Sequence, residues 1–138
     1  MISQARALVI LAWLVPVGVL LQAVIAGQAI FVSPSLFGLH GGLGHGVLLL
    51  GAVTAALAWV ARRRTPAVLA TVVVLALVAQ TGLGYVGHRS GVAAASALHV
   101  PLGVAVLGAS VAVATLLSAR GAARDRTRRP AERPVRTG

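Results

Sequence analysis

The chain has no cysteine and no lysine, and its only acids are Asp125 and Glu132, both near the C-terminus. Without cysteine, disulfides, thiolate metal centres and thiol chemistry are excluded. The apolar stretches hold no carboxylate, so they carry no acid–base pair of side-chain carboxyls. A zinc site usually needs a third and a fourth ligand, and the only ligand type left within those stretches is histidine. Charge is also scarce: 10% of the 138 residues are charged, against 58% that are apolar.

The apolar residues gather in four long runs, about residues 7–32, 36–61, 66–87 and 92–119. Runs of 18 or more apolar residues read as membrane spans, and each of these can cross ~30 Å of hydrocarbon at ~1.5 Å per residue. The first run could be mistaken for a signal peptide, with Arg6 before it and Gly27-Gln28-Ala29 after. It is longer than the usual apolar core of ~7–15 residues, so a retained span is expected. Residues 120–138 are rich in Arg, Pro and Thr, and are expected to form a disordered tail that attracts anionic lipid.

Every basic residue is an arginine, and eleven of the twelve flank one side of the runs: Arg6, the Arg62-Arg63-Arg64 loop and the tail. Only Arg89 falls on the other side. The positive-inside rule then puts both termini in the cytoplasm of a multi-pass cell-membrane protein. The net charge of +10 sits at membrane flanks, which argues against a nucleic-acid partner. The arginine-only, Ala-, Val- and Gly-rich usage suggests a GC-rich bacterial genome and hence a bacterial inner membrane.

Two copies of one pattern stand 59 residues apart: Leu39-His40-Gly41-Gly42-Leu43-Gly44 and Leu98-His99-Val100-Pro101-Leu102-Gly103. A glutamine, Gln22 or Gln80, precedes each histidine by 18 or 19 residues. The expected fold is therefore an all-α integral membrane bundle of four helices, built from two duplicated helical hairpins. Spans 1 and 3 correspond, as do spans 2 and 4, and corresponding helices would sit diagonally. His40 lies 22 residues before Arg62, and His99 lies 21 before Arg120. Both are thus ~32 Å from the cytoplasmic boundary, at one level, and could face a common centre.

Below His40 the same helix face carries Gly44 and Gly51; below His99 it carries Gly103 and Ser110. Small residues let a flat macrocycle approach the backbone, and they equally suit plain helix contact. Two neutral imidazoles on opposite sides of one iron give a six-coordinate haem. His40 and His99 are the candidate iron ligands, with Gly44 and Gly103 beside the cofactor. Gln22 and Gln80 could orient the ligands through the second ring nitrogen, or could bridge helices. Arg89 stands where haem propionates would emerge and could pair with a carboxylate; it could also be an ordinary interfacial charge. Pro16 should kink span 1, and Pro101 frees the Ala97 carbonyl near His99. His45 has no counterpart and needs a polar partner, for which Gln22 and Gln80 are candidates. His88 is expected in a loop.

Gln80-Thr81-Gly82-Leu83-Gly84, then Leu98-His99 and Gly103, with Gln22, Ile25-Ala26-Gly27, His40 and Gly44 in the first half, resemble one four-helix half of the haem A synthase family. The chain also looks like small bacterial four-helix membrane proteins of similar layout. The resemblance implies haem b held by His40 and His99. Synthases of that family carry a glutamate near the histidines and a second histidine pair, and this chain has neither. The expected function is accordingly electron transfer or haem handling rather than catalysis. A non-catalytic membrane subunit or scaffold with structural histidines is the alternative. A proton-coupled exporter of the small multidrug-resistance type would need an intramembrane carboxylate. The lipid bilayer is the expected surrounding; a redox or membrane-protein partner and a homo-oligomer stay open.

Overall fold

The computed structural model describes residues 4–128, with side chains to residue 119. Four helices follow one another: α1 (Gln4–Phe31), α2 (Leu36–Val60), α3 (Arg64–Ser90) and α4 (Ala93–Arg128). All four are long and apolar enough to cross a membrane, α4 over Ala93–Ala119. The helices start and stop within three residues of the bounds expected for the first three spans. Helix α4 continues as helix to Arg128, nine residues past the expected end of the fourth span. The rest of the expected tail, 129–138, lies outside the described residues.

Each helix packs on two neighbours: α1 on α2 and α4, and α3 on α2 and α4. The diagonal pairs α1–α3 and α2–α4 make no such backbone approach. The arrangement is a square. Helix α1 passes through Pro16, and α4 through Pro101, each as a single helix. In a membrane the freed carbonyls are tolerated because neighbouring helices and local adjustment satisfy them.

The interior is made largely of small residues. Ala12, Ala58, Ala67, Ala114 and Ser110 are buried, with Val47, Val73, Leu77 and Val106 filling the layers between them. Large side chains such as Leu20, Leu49, Leu75, Val100 and Val104 point outward. This inverts the pattern of a water-soluble bundle. Lipid tails are as apolar as leucine, so burying leucine gains nothing, whereas small residues let backbones approach.

The turns are closed by backbone geometry. At the end of α2 the Arg63 N–H donates to Ala58 O and the Arg62 N–H to Trp59 O, both at 2.9 Å. That is a Schellman stop, and it places Arg62 in the left-handed region at φ 54°. Helix α3 ends on Gly91 at φ 67°, a conformation glycine adopts without a Cβ clash. The Val92 carbonyl then accepts from the Ala95 and Ser96 N–H groups to start α4. The α1–α2 and α3–α4 turns mark the histidine end of the bundle, and the α2–α3 turn, with its three arginines, marks the arginine end.

Candidate functional site

His40 lies in the second turn of α2 and His99 in the second turn of α4. Their rings meet near the histidine end, with centroids 6.1 Å apart and planes at 61°. Both residues are partly buried. Diagonal helices with no close backbone approach are thus joined by one pair of imidazoles.

Each ring is held the same way. His40 Nδ1 lies 3.1 Å from the carbonyl oxygen of Gln22, and His99 Nδ1 lies 3.0 Å from that of Gln80. A carbonyl only accepts, so both Nδ1 atoms carry the proton and donate. In a neutral imidazole the other nitrogen is then an acceptor with a free lone pair. Among the described residues, neither Nε2 has a hydrogen-bond partner. The pair therefore presents two nitrogen lone pairs, and this is the tautomer that a metal-ligating histidine takes.

Gln22 and Gln80 thus hold the second ring nitrogen of each histidine, and they do so through their backbone carbonyls. The amides have another place. Gln80 Nε2 donates to the carbonyl oxygen of His99 at 2.7 Å, so Gln80 and His99 are bonded reciprocally. The Oε1 atoms of Gln22 and Gln80 are both buried without a partner.

The glycines explain how the amides fit. A Cβ at Gly44 would stand 2.7 Å from Gln22 Nε2, and one at Gly103 would stand 3.0 Å from Gln80 Nε2. The space beside each glycine is taken by a glutamine of the neighbouring helix. Further down, Gly51 is buried against Leu77 Cδ1, and buried Ser110 donates to its own helix at Leu107 O. The small-residue stripes thus serve helix contact below the histidines. Helix α3 also approaches the pair: a Cβ at Gly84 would lie 3.2 Å from His99 Cε1.

The remaining candidates contact other groups. Arg89, expected near haem propionates, is exposed in the last turn of α3 with its guanidinium carbon 5.1 Å from the Tyr85 ring centroid. His88 is also helical, in that same turn, and its ring lies 4.7 Å from that of Phe37. His45 does not reach either glutamine. Its Nδ1 donates to Gly41 O of its own helix at 2.8 Å, and its ring stands 6.2 Å from that of Tyr85. Tyr85 is the residue that sequence reasoning overlooked; a single tyrosine in an apolar run next to arginine was the available signal. Among the described residues no group of three or more His, Cys, Asp or Glu side chains is assembled for a metal ion.

Residues 22–86 match the profile of a family described as "Family of unknown function (DUF6220)". The matched segment contains Gln22, His40, Gly44, His45, Gln80 and Tyr85, and stops short of Arg89 and His99. No curated protein and no solved structure matches the chain.

Proposed function

We propose that this chain is a multi-pass protein of the cell membrane that holds one haem b between His40 and His99 for electron transfer or haem handling. One observation supports the reading above all others. Two imidazoles, each locked by a backbone carbonyl so that Nε2 is unprotonated, stand 6.1 Å apart between diagonal helices. Ligands at ~2.0–2.1 Å on opposite sides of one metal have their nitrogens ~4 Å apart and their ring centres roughly 6 Å apart. A lone pair of histidines with no third ligand fits a porphyrin, which supplies four nitrogens itself, better than it fits a bare metal ion.

When bound, a haem held by His40 and His99 would supply one-electron transfer. The protein's residues do the rest. His40 and His99 offer the lone pairs, and the Gln22 and Gln80 carbonyls fix ring orientation and tautomer. Because Val47, Leu77 and Val106 are packed beneath, the macrocycle would take its room at the histidine end. Gly44 and Gly103 act indirectly by admitting the two glutamines. Arg89 remains a candidate partner for a propionate, since its contact with the Tyr85 ring leaves the guanidinium N–H groups free to pair with a carboxylate.

The two hairpins are read as duplicates, and both termini as cytoplasmic, on the repeated Leu-His-x-x-Leu-Gly pattern and the arginine distribution. The likeness to one half of a haem A synthase belongs to the same proposal. One observation favours a second reading. The histidine bonds also tie α1 to α2 and α3 to α4, which a purely structural subunit or scaffold would use.

Spectroscopy of the full chain reconstituted with haem b separates the two. The haem reading expects a low-spin bis-imidazole spectrum, abolished alike by His40→Ala and His99→Ala and retained in His88→Ala. A wild-type protein that stays colourless decides for the structural reading.

A further inference from the structure

A second cluster of polar side chains lies on the outer surface of the bundle, where α2 meets α3. His45 is exposed, nine residues into α2 from Leu36, or ~14 Å along the helix. Tyr85 is 46% exposed and sits five residues before the end of α3. Arg89 is one turn above it. The His45 and Tyr85 rings are 6.2 Å apart at a steep angle, and the Arg89 guanidinium carbon is 5.1 Å from the same tyrosine ring.

Such a cluster is costly in lipid. Ionisable residues of membrane spans almost always face the bundle interior, as His40 and His99 do. His45 faces outward. Its Nδ1 proton is spent on Gly41 O, so Nε2 is an acceptor that lipid tails cannot satisfy. Among the described residues, the Tyr85 hydroxyl and the Arg89 guanidinium likewise make no hydrogen bond. The surface beside them is bare: a Cβ at Gly41, Gly42, Gly46 or Gly82 would meet nothing within 4 Å.

We infer that this surface patch binds the head group of a membrane-dissolved hydroquinone. The chemistry selects the class. The site opens to lipid, so the ligand arrives by lateral diffusion and carries an apolar tail. His45 Nε2 needs a hydroxyl donor. Arg89, over the Tyr85 ring, has N–H groups free for an acceptor oxygen toward the helix end, and the tyrosine between it and His45 is an aromatic neighbour for a flat ligand. One aromatic ring with oxygens at opposite edges meets all three demands. A phospholipid does not: its phosphate diester has no proton to give Nε2, and its head group stays at the interface, above His45. Gly84, the residue before Tyr85, is where an added Cβ would stand 3.2 Å from His99 Cε1, but the assignment does not depend on a haem there.

The test is equilibrium binding of a radiolabelled decyl-benzohydroquinone, under anaerobic conditions, to the full chain in phosphatidylcholine nanodiscs without added haem. Saturable binding is expected. His45→Phe keeps a ring beside Tyr85 but removes the acceptor, and should weaken binding at least tenfold; Arg89→Gln should weaken it severalfold. Val104→Ala, on the lipid-facing side of α4, should bind as wild type does. Circular dichroism establishes that each variant is folded. Saturable binding untouched by His45→Phe and Arg89→Gln, or uptake that never saturates, overturns the assignment. Crosslinking between the Tyr85 positions of two chains in the unliganded protein also overturns it, because a second copy would then cover the patch. Since no haem is added, these outcomes are distinct from failure of the haem reading.

Discussion

Gln80 and His99 are joined by two hydrogen bonds in opposite senses: amide Nε2 to the His99 carbonyl at 2.7 Å, and His99 Nδ1 to the Gln80 carbonyl at 3.0 Å. Gln22 and His40 share only the second of these, at 3.1 Å. The two hairpins are alike in outline and unequal in strength.

Truncating the two glutamines should expose the inequality. Interhelical side-chain bonds in membranes average about 0.6 kcal/mol and reach about 1.7 kcal/mol. Gln80→Ala should therefore cost about that much more than Gln22→Ala in reversible unfolding from micelles. Equal losses would mean that the Gln80 amide bond contributes nothing.

The glycines opposite the amides give a second measurement. Gly44→Ala and Gly103→Ala each set a methyl against a glutamine amide and should cost about 1–3 kcal/mol. Shortening the facing side chain, as in Gln22→Ala with Gly44→Ala, should recover much of the loss. Strictly additive double variants would show that the glycines matter for some other contact.

Gly87→Ala should be harmful without a simple remedy. Its Cβ would meet backbone atoms of Ser96, the nitrogen at 3.1 Å and Cα at 3.3 Å. A backbone cannot step aside as a side chain can, so helices α3 and α4 must separate. A thermal midpoint clearly below that of Gly82→Ala, where the added Cβ meets nothing within 4 Å, is the expected result.

Arg62 is a left-handed residue that is not glycine. Arg62→Gly should stabilise the fold by about 1 kcal/mol, and Arg62→Val, β-branched at the same φ, should destabilise it. Denaturation curves of the two variants should move in opposite directions.

The four helices were legible because hydropathy over a span-length run is a local property. Leu36–Val60 and Arg64–Ser90 needed only the apolar run and the arginines or turn residues that bound it. The meeting of His40 with His99 was legible through arithmetic, since equal distances from two arginine boundaries set equal depth. The role of Gly44 was not. Small residues suit a cofactor and a neighbouring side chain equally, and only the positions of Gln22 and Gln80 in space decide which. The carbonyl partners of the histidines were hidden for a similar reason: every residue has a carbonyl, so no sequence marks the one that is used. The charge and level of Arg89 were readable, whereas its contact with Tyr85 depends on how α3 is rotated.

Among the described residues, hydrogen bonds between side chains cross the seams between the two hairpins only toward the arginine end. Trp13 Nε1 donates to Ser118 Oγ across α1 and α4, and Trp59 Nε1 donates to Thr71 Oγ1 across α2 and α3, both at 3.1 Å. At the histidine end the side-chain bonds run within hairpins, and the seams are crossed by ring contacts such as Phe37 with His88. Spreading the hairpins there breaks no side-chain hydrogen bond among the described residues, while spreading them at the other end breaks both indole bonds. Side-chain polar bonding thus fastens the two hairpins to each other at the indole end, and at the imidazole end it fastens each helix pair within itself.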